Sequence, residues 1–301
     1  MILEYNRQIM QHKHSFLGLL AGLGAAAIWG GMYVVSKVVL EVVPPFALLS
    51  TRLILGILTL SLVIALRPKP SLTAKQAWQI FGVGVIGYGI SLGFQFVGTK
   101  LSTASNGSLV TSATPAFILL FAPFLLGERT TPRRLAALLV STLGVVAVID
   151  PRTAELSPSL FWGNLSLLAA ALTWALYSVL VRKVTQGMDV ILPTAIMLAG
   201  GLPSSLAFGA WEINTQGLGP ITLGTIGGIL FLGVISTALA MFLWNYAFAE
   251  LPAAVASLTF FAQPVVGTLL GALFLGEVIT PLFLFGGLLI GVGLVIASTE
   301  K

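Results

Sequence analysis

Aromatic, hydroxyl and amide side chains recur inside the apolar stretches of this chain, where every polar group needs a partner or a ligand. They are Trp29, Tyr33, Tyr88, Ser91, Gln95, Ser108, Trp174, Tyr177, Ser236, Thr237, Asn245 and Gln263. Any one of them is typical of helix packing in lipid, where hydroxyls join helices and rings fill gaps. As a set they offer aromatic faces and hydrogen bonds without pairs of opposite charge, which favours a neutral or zwitterionic ligand with an apolar side chain.

Two cations, Lys37 and Arg52, also lie inside apolar stretches. A charge at the centre of a membrane span costs about 2.5–3.5 kcal/mol, so each is a candidate for function. Lys37 lies near the end of its stretch, and its stem is long enough to carry the ammonium to the interface. Arg52 lies deeper, and three roles stay open for it: holding backbone carbonyls, pairing with Glu41, or contacting a carboxylate of a substrate.

Acids and histidines are missing from the centres of these stretches. The aspartates, Asp150 and Asp189, and all the glutamates fall in tails, in loops or at the ends of stretches, and both histidines, His12 and His14, precede the first stretch. Intramembrane proteases need a His-Glu pair, clustered acids, or a base beside a nucleophile. The sequence therefore predicts no enzyme, no metal site, no cofactor and no embedded acid for relaying a proton.

Composition places these residues in a lipid environment. The chain has 301 residues, of which 57% are hydrophobic and 8% charged, and its mean hydropathy is +1.01. Such a composition leaves too few polar groups for the surface of a water-soluble domain. Stretches long enough to span a bilayer lie at roughly 16–40, 46–66, 75–97, 102–126, 133–149, 160–181, 190–210, 222–248, 253–275 and 282–298.

A block of sequence occurs twice, about 149 residues apart. Pro115 is followed by Gly127-Glu128 and Pro132, and Pro264 by Gly276-Glu277 and Pro281, at the same spacings. The chain therefore reads as a tail (1–15) and two copies, 16–149 and 160–298. Five spans in each copy is an odd number, so the second copy enters the membrane inverted, as in many secondary transporters. We expect an all-α membrane protein of ten transmembrane helices in two inverted five-helix repeats around a central cavity.

Lysine and arginine are distributed unevenly between the predicted loops. One side has Lys100 and Arg152, and the other has Arg7, Lys13, Arg67, Lys69, Lys75, Arg129, Arg133, Arg134, Arg182, Lys183 and Lys301. Loops rich in these residues stay in the cytoplasm, so both termini are predicted to be cytoplasmic. We expect the bilayer and a small-molecule substrate as partners, no nucleic acid, and a monomer or weak homodimer.

The repeated block also predicts local structure. Pro115 and Pro264 fall in mid-span and each removes a backbone hydrogen bond, so they are candidate hinges as well as packing kinks. Gly127 and Gly276 are suited to ending a helix, and Thr131 or Thr280 followed by proline is suited to starting the next one. We interpret the Gly-Glu blocks as turns.

These residues resemble a known family. The resemblance is to the EamA-type proteins in the drug/metabolite transporter superfamily. It rests on Trp29-Gly30, Pro44 with Arg52, the stretch 101–104 and the two Pro-to-Gly-Glu blocks. The resemblance implies a carrier whose cavity is formed by spans one, three, four, six, eight and nine, with spans five and ten as peripheral supports.

The expected function follows from the resemblance and from the residues together. The resemblance implies an exporter of amino acids, aromatic or otherwise neutral, working by alternating access in the bacterial inner membrane. The lack of a deep acid favours transport driven by the gradient of the substrate. A carrier for drugs, sugars or nucleosides is the alternative, and a receptor or assembly subunit without flux is the alternative from another class.

Overall fold

The structure, a computed structural model, describes residues 2–67, 72–102, 107, 110–149, 158–275 and 281–299, and for residues 2–14 only the backbone. Every regular element within these ranges is helical. In chain order the elements are α1 (Ile2–Leu40), α2 (Pro45–Ala65), α3 (Ala74–Leu101), α4 (Thr114–Leu126), α5 (Pro132–Ile149), α6 (Phe161–Thr185), α7 (Ile191–Gln216), α8 (Leu223–Glu250), α9 (253–275) and α10 (Pro281–Ser298).

Six of these helices are long and apolar enough to cross a membrane, judged by length and composition: α1 from Ser15 onward, α2, α3, α6, α7 and α8. Shorter apolar helices are found in α4, in α9 and in α10. Within the predicted tail the backbone is helical from Ile2 and continues without a break into the first span.

The helices pair in a reciprocal manner. Helix α1 packs on α8 and α9, while α6 packs on α3 and α4; α2 lies along α7, and α5 lies along α10. Small residues permit these close approaches, as expected between helices in lipid. At Gly84 of α3, for example, a Cβ atom would lie 2.0 Å from the carbonyl oxygen of Met197 in α7.

Three helices depart from regular α-helical geometry at mid-height. The turns of α3 are π-helical over Val85–Ser91 and those of α8 over Phe231–Leu239, and α9 has a 3₁₀ turn at Thr259–Phe261. Wide π-helical turns such as those of α3 and α8 are frequent at functional sites, because they leave backbone carbonyls free for side chains. In α8 the hydroxyl of Thr237 donates to the carbonyl of Leu232 over 2.7 Å.

Both candidate hinge prolines follow a break in the helix. Pro115 is the second residue of α4, after a turn at 112–113, and Pro264 is the third residue of the segment Ala262–Leu275, which follows the 3₁₀ turn. The regular helix is therefore already interrupted before each proline. A hinge motion at these positions stays a prediction.

Two charged residues that the sequence places in loops lie instead in helices. Lys100 is in the last turn of α3, and Glu212 is near the end of α7 with 5% of its surface exposed. Glu212 Oε2 accepts hydrogen bonds from the backbone N–H of Phe46 at 2.7 Å and of Ala47 at 3.2 Å. It thereby satisfies the unpaired N–H groups at the start of α2. Helices α3 and α7 both extend past the apolar stretches predicted from the sequence.

Candidate functional site

A small cavity lies where α1, α3, α6, α8 and α9 meet the beginning of α4. Six residues of the predicted set line it, namely Trp29, Tyr33, Ser91, Gln95, Trp174 and Gln263. The sequence reasoning missed Met32, Thr111, Thr114, Met241 and Phe260, which also line it; the mid-span proline beside Thr114 was the available signal. Its volume of about 30 Å³ holds roughly two water molecules.

One wall of the cavity is a chain of polar side chains. Gln95 Nε2 donates to the hydroxyl of Tyr33 over 3.1 Å, and the hydroxyls of Tyr33 and Thr111 are 3.0 Å apart. The amide of Gln263 also faces the hydroxyl of Tyr33. The wall therefore joins α1, α3, α9 and the segment preceding α4 through neutral groups.

Three buried polar atoms at the cavity have no hydrogen-bond partner among the described residues: Thr114 Oγ1, Trp174 Nε1 and Gln263 Oε1. Buried polar atoms in native proteins nearly always have a partner, and each exception calls for an explanation. These two acceptors and one donor are available for hydrogen bonds to a bound molecule or to water in the cavity.

A cluster of aromatic rings forms another part of the cavity lining. The ring centroids of Trp29 lie 5.7 Å from those of Trp174, 5.4 Å from Trp244 and 6.2 Å from Phe260. Trp29 Nε1 donates to the carbonyl of Ser236 at 3.0 Å, which fixes the ring. This cluster gives the cavity an apolar face.

Three predicted site residues lie behind the cavity wall, in a closed hydrogen-bond network. The hydroxyls of Tyr88 and Tyr177 share a hydrogen bond, Tyr177 donates to Asn245 Oδ1 at 2.7 Å, and Asn245 Nδ2 donates to Thr194 Oγ1 at 3.0 Å. The ring of Tyr177 packs against Trp174 at 4.7 Å. Because these polar groups satisfy one another, the network acts as a support for the wall.

Arg52 is fully buried behind Met32. Its Nε donates to Thr237 Oγ1 at 2.7 Å, Nη2 to Ser236 Oγ at 3.4 Å, and both Nη atoms lie 3.8 Å from Met32 Sδ. The expected partners, Glu41 or backbone carbonyls, are replaced by neutral side chains. Ser236 and Thr237 of the predicted set therefore hold this arginine; Ser108, the remaining member, lies outside the described residues.

Lys37 and Arg182 bind the ends of neighbouring helices; a position at the membrane interface stays a prediction. Lys37 Nζ donates to the carbonyls of Thr99 at 3.2 Å and Ser102 at 3.0 Å, where α3 ends. Arg182 Nη1 donates to the carbonyl of Phe248 at 3.0 Å and to that of Leu251, where α8 ends. The last carbonyls of a helix lack internal partners, which explains the attraction for cations.

The first Gly-Glu block is a turn, as predicted, and its glutamate also contacts two other helices. Gly127 ends α4 in a left-handed conformation with φ of 68°, and Thr131 Oγ1 accepts from the backbone N–H of Arg134. Glu128 lies 2.8 Å from Arg182 Nε and accepts from the backbone N–H of Ala253 at 3.1 Å. We call Glu128, Arg134, Arg182 and the N-terminus of α9 the Glu128 cluster. The second block, 276–280, lies outside the described residues.

Helices long and apolar enough to cross a membrane surround a small cavity with a mixed polar and aromatic lining. This is the arrangement of a multi-pass membrane protein. The sequence profile of the EamA-like transporter family matches residues 16–149 and 161–299. The chain belongs to this family, a branch of the drug/metabolite transporter superfamily, whose members are transporters and not enzymes.

Several relatives extend over nearly the whole chain. A "Probable amino-acid metabolite efflux pump" of Salmonella typhimurium is 30% identical, with 95% of each chain covered. The "Uncharacterized transporter YoaV" of Bacillus subtilis is 25% identical over 92% of this chain and 94% of its own. The "Aromatic amino acid exporter YddG" of Ancylobacter novellus is 26% identical over 83% and 86%. A solved structure at 23% identity shares the fold with a TM-score of 0.75, covering 93% of this chain and 96% of its own.

Proposed function

We propose that the protein exports amino acids, aromatic or otherwise neutral, and similar small metabolites. The observation that carries the proposal is the set of unpaired polar atoms around an aromatic cavity. Gln263 Oε1 and Thr114 Oγ1 are acceptors for an ammonium group, and Trp174 Nε1 is a donor for a carboxylate. The tryptophan cluster then receives the apolar side chain. Two relatives are named for amino-acid metabolite efflux and for aromatic amino acid export, and these names support the same substrate class.

The size of the cavity supports an alternating-access mechanism. A volume of about 30 Å³ is far below the roughly 300 Å³ of the smallest usual ligand pockets. We therefore propose that the cavity is contracted in this structure and that substrate binds after helices around it separate. Pro115 and Pro264, each next to a break in its helix, are the proposed hinges.

The architecture we propose is a pair of inverted five-helix repeats in the bacterial inner membrane, with both termini in the cytoplasm. The reciprocal packing of α1 on α8 and α9, and of α6 on α3 and α4, supports it. Lys37 lies eight residues after Trp29, and Arg182 lies eight residues after Trp174. These two cations therefore occupy equivalent positions of the two copies, and they support the architecture because they bind the ends of α3 and α8. Such symmetry allows one copy to open as the other closes.

We further propose that the gradient of the substrate drives transport. None of the residues that line the described cavity is an acid. Proton-coupled carriers relay protons through ionisable groups inside the membrane. Without one at the site, flux depends on the two substrate concentrations alone.

Purified protein in liposomes tests the proposed activity. We expect uptake of labelled phenylalanine and leucine, at a rate that an imposed pH gradient changes less than about twofold, because no lining acid titrates. Labelled glucose, uridine and a lipophilic cation serve as the comparison set. Uptake of one of these alone assigns the protein to a different substrate class, and no uptake of any compound supports a receptor or assembly subunit.

Single cysteines test the orientation, because the chain has no native cysteine. We expect a membrane-impermeant maleimide to label Glu41→Cys and Gly219→Cys in intact cells, and to label Gly187→Cys only after the cells are opened. The loops at 41 and 219 then face outward and the loop at 187 faces the cytoplasm. Labelling of all three positions in intact cells would contradict the inverted arrangement.

A further inference from the structure

Arg52 is separated from the cavity by one side chain. Met32 contacts the guanidinium on one side and lines the cavity on the other. We propose that Arg52 is a carboxylate subsite, uncovered when Met32 turns away as the cavity widens. The inference rests on the proposed function and adds the Arg52 guanidinium to Trp174 Nε1 as a donor to the carboxylate of the substrate.

The donors of Arg52 are unequally used. Nε is committed to Thr237 Oγ1, and Nη2 makes one long hydrogen bond of 3.4 Å to Ser236 Oγ. Both Nη atoms also face Met32 Sδ, each at 3.8 Å. A thioether is a weak acceptor, and no carboxylate bonds the guanidinium among the described residues. The position of the sulfur, equidistant from both Nη atoms, is where a carboxylate would make two parallel hydrogen bonds.

The guanidinium is held in place from behind. The hydroxyl of Thr237 donates to the carbonyl of Leu232, so its oxygen is left to accept from Arg52 Nε. The ring of Phe96 lies 5.0 Å from the guanidinium carbon, close enough for a cation–π contact. The fork is therefore oriented before substrate arrives, which reduces the entropy lost on binding.

A purely structural role is the competing interpretation, because Arg52 of α2 also ties α8 to the bundle through Thr237. The two roles differ in what they predict for substrates without an acid. A structural tie acts on every substrate equally. A carboxylate subsite discriminates between an amino acid and its amide.

The test compares phenylalanine with phenylalaninamide in proteoliposomes. For Arg52→Gln and Arg52→Lys we expect kcat/KM for phenylalanine to fall about 20-fold, since hydrogen bonds to charged groups contribute about 1.5–3 kcal/mol. The value for the amide should change less than about threefold. Lysine keeps the charge and lacks the fork, and it serves if glutamine prevents folding. Ser141→Ala is the control: the Ser141 hydroxyl is buried on α5, away from the cavity, so this variant should leave the ratio of the two substrates unchanged.

Equal losses for acid and amide, in variants with unchanged thermal stability, would overturn the inference. A second readout is independent of amino-acid transport. We expect 3-phenylpropionate to quench the tryptophan fluorescence of the detergent-solubilised wild type, and to do so about 20-fold more weakly with Arg52→Lys. If the wild type moves no amino acid yet binds this acid through Arg52, the proposed function is wrong and the carboxylate subsite stands. Equal binding of the acid to the wild type and to Arg52→Lys would contradict the carboxylate subsite.

Discussion

Replacing Gln263 with leucine is expected to lower the transport efficiency for neutral amino acids by about 100-fold, near the upper end of what one hydrogen bond to a charged group contributes. Gln263 Oε1 is buried, lines the cavity and has no partner among the described residues. Leucine fills nearly the same volume and removes the acceptor for the ammonium group. Initial rates over a range of phenylalanine concentrations measure the effect.

Stability should not change with transport in this variant. Removing a buried acceptor that lacks a partner is neutral or stabilising, while losing the amide that faces the Tyr33 hydroxyl is destabilising, so the melting temperature of Gln263→Leu should stay close to that of the wild type. Ser141→Ala is the matched control, because Ser141 Oγ is also buried without a partner among the described residues but lies on α5, away from the cavity. Equal transport by wild type, Gln263→Leu and Ser141→Ala would show that the site lies elsewhere.

Replacing Glu128 with alanine should open the adjacent end of the bundle. Glu128 pairs with Arg182 and caps α9, while Arg182 also binds the end of α8. These contacts join α4, α6, α8 and α9, which must separate for the cavity to open at this end. Breaking a buried pair costs about 3–5 kcal/mol. With side chains 16% and 18% exposed, we expect about 2 kcal/mol, or roughly a 30-fold larger open population.

A cysteine at position 257 reports this opening. Ser257 lies on α9, one turn beyond Ala253, and is fully buried. In Ser257→Cys, adding Glu128→Ala should raise the rate of maleimide labelling in detergent by about 30-fold, in proportion to the open population.

An exposed ion pair supplies the control for that experiment. Asp189 lies 3.4 Å from Arg67 and accepts from the backbone N–H of Ile191, but both side chains are about half exposed (52% and 53%). A surface pair contributes about 0–1 kcal/mol, so Asp189→Ala should change labelling less than about fivefold. Similar labelling of both variants would mean that the Glu128 cluster does not hold this end closed.

Residue types and depth were readable from the sequence, but rotation about the helix axis was not. The predicted set includes the lining residues Trp29 and Gln263 and also Tyr88 and Asn245, which face the supporting network. The π-helical turns in α3 and α8 explain part of this difference. A wide turn shifts the phase of all residues that follow it, so a regular 3.6-residue periodicity points to the wrong face.

Hydrogen-bond and ion-pair partners that are far apart in the chain could not be predicted from the sequence either. Glu128 reads as a turn residue because nothing local reveals that Arg182 and Ala253 lie beside it. Arg52 was recognisable as a buried cation, but its neutral partners were not, since they come from α1 and α8. The predicted ends of helices were wrong where a helix continues past its apolar stretch into polar residues, as α7 does at Glu212.

A cavity lining without an acid has a physiological consequence under the proposed function. A carrier that draws on no second gradient stops when the substrate concentrations on the two sides are equal. Under the proposed function it relieves a cell of surplus amino acid, and efflux slows as the internal concentration falls toward the external one. Such a carrier acts as a passive outlet that consumes neither ATP nor an ion gradient.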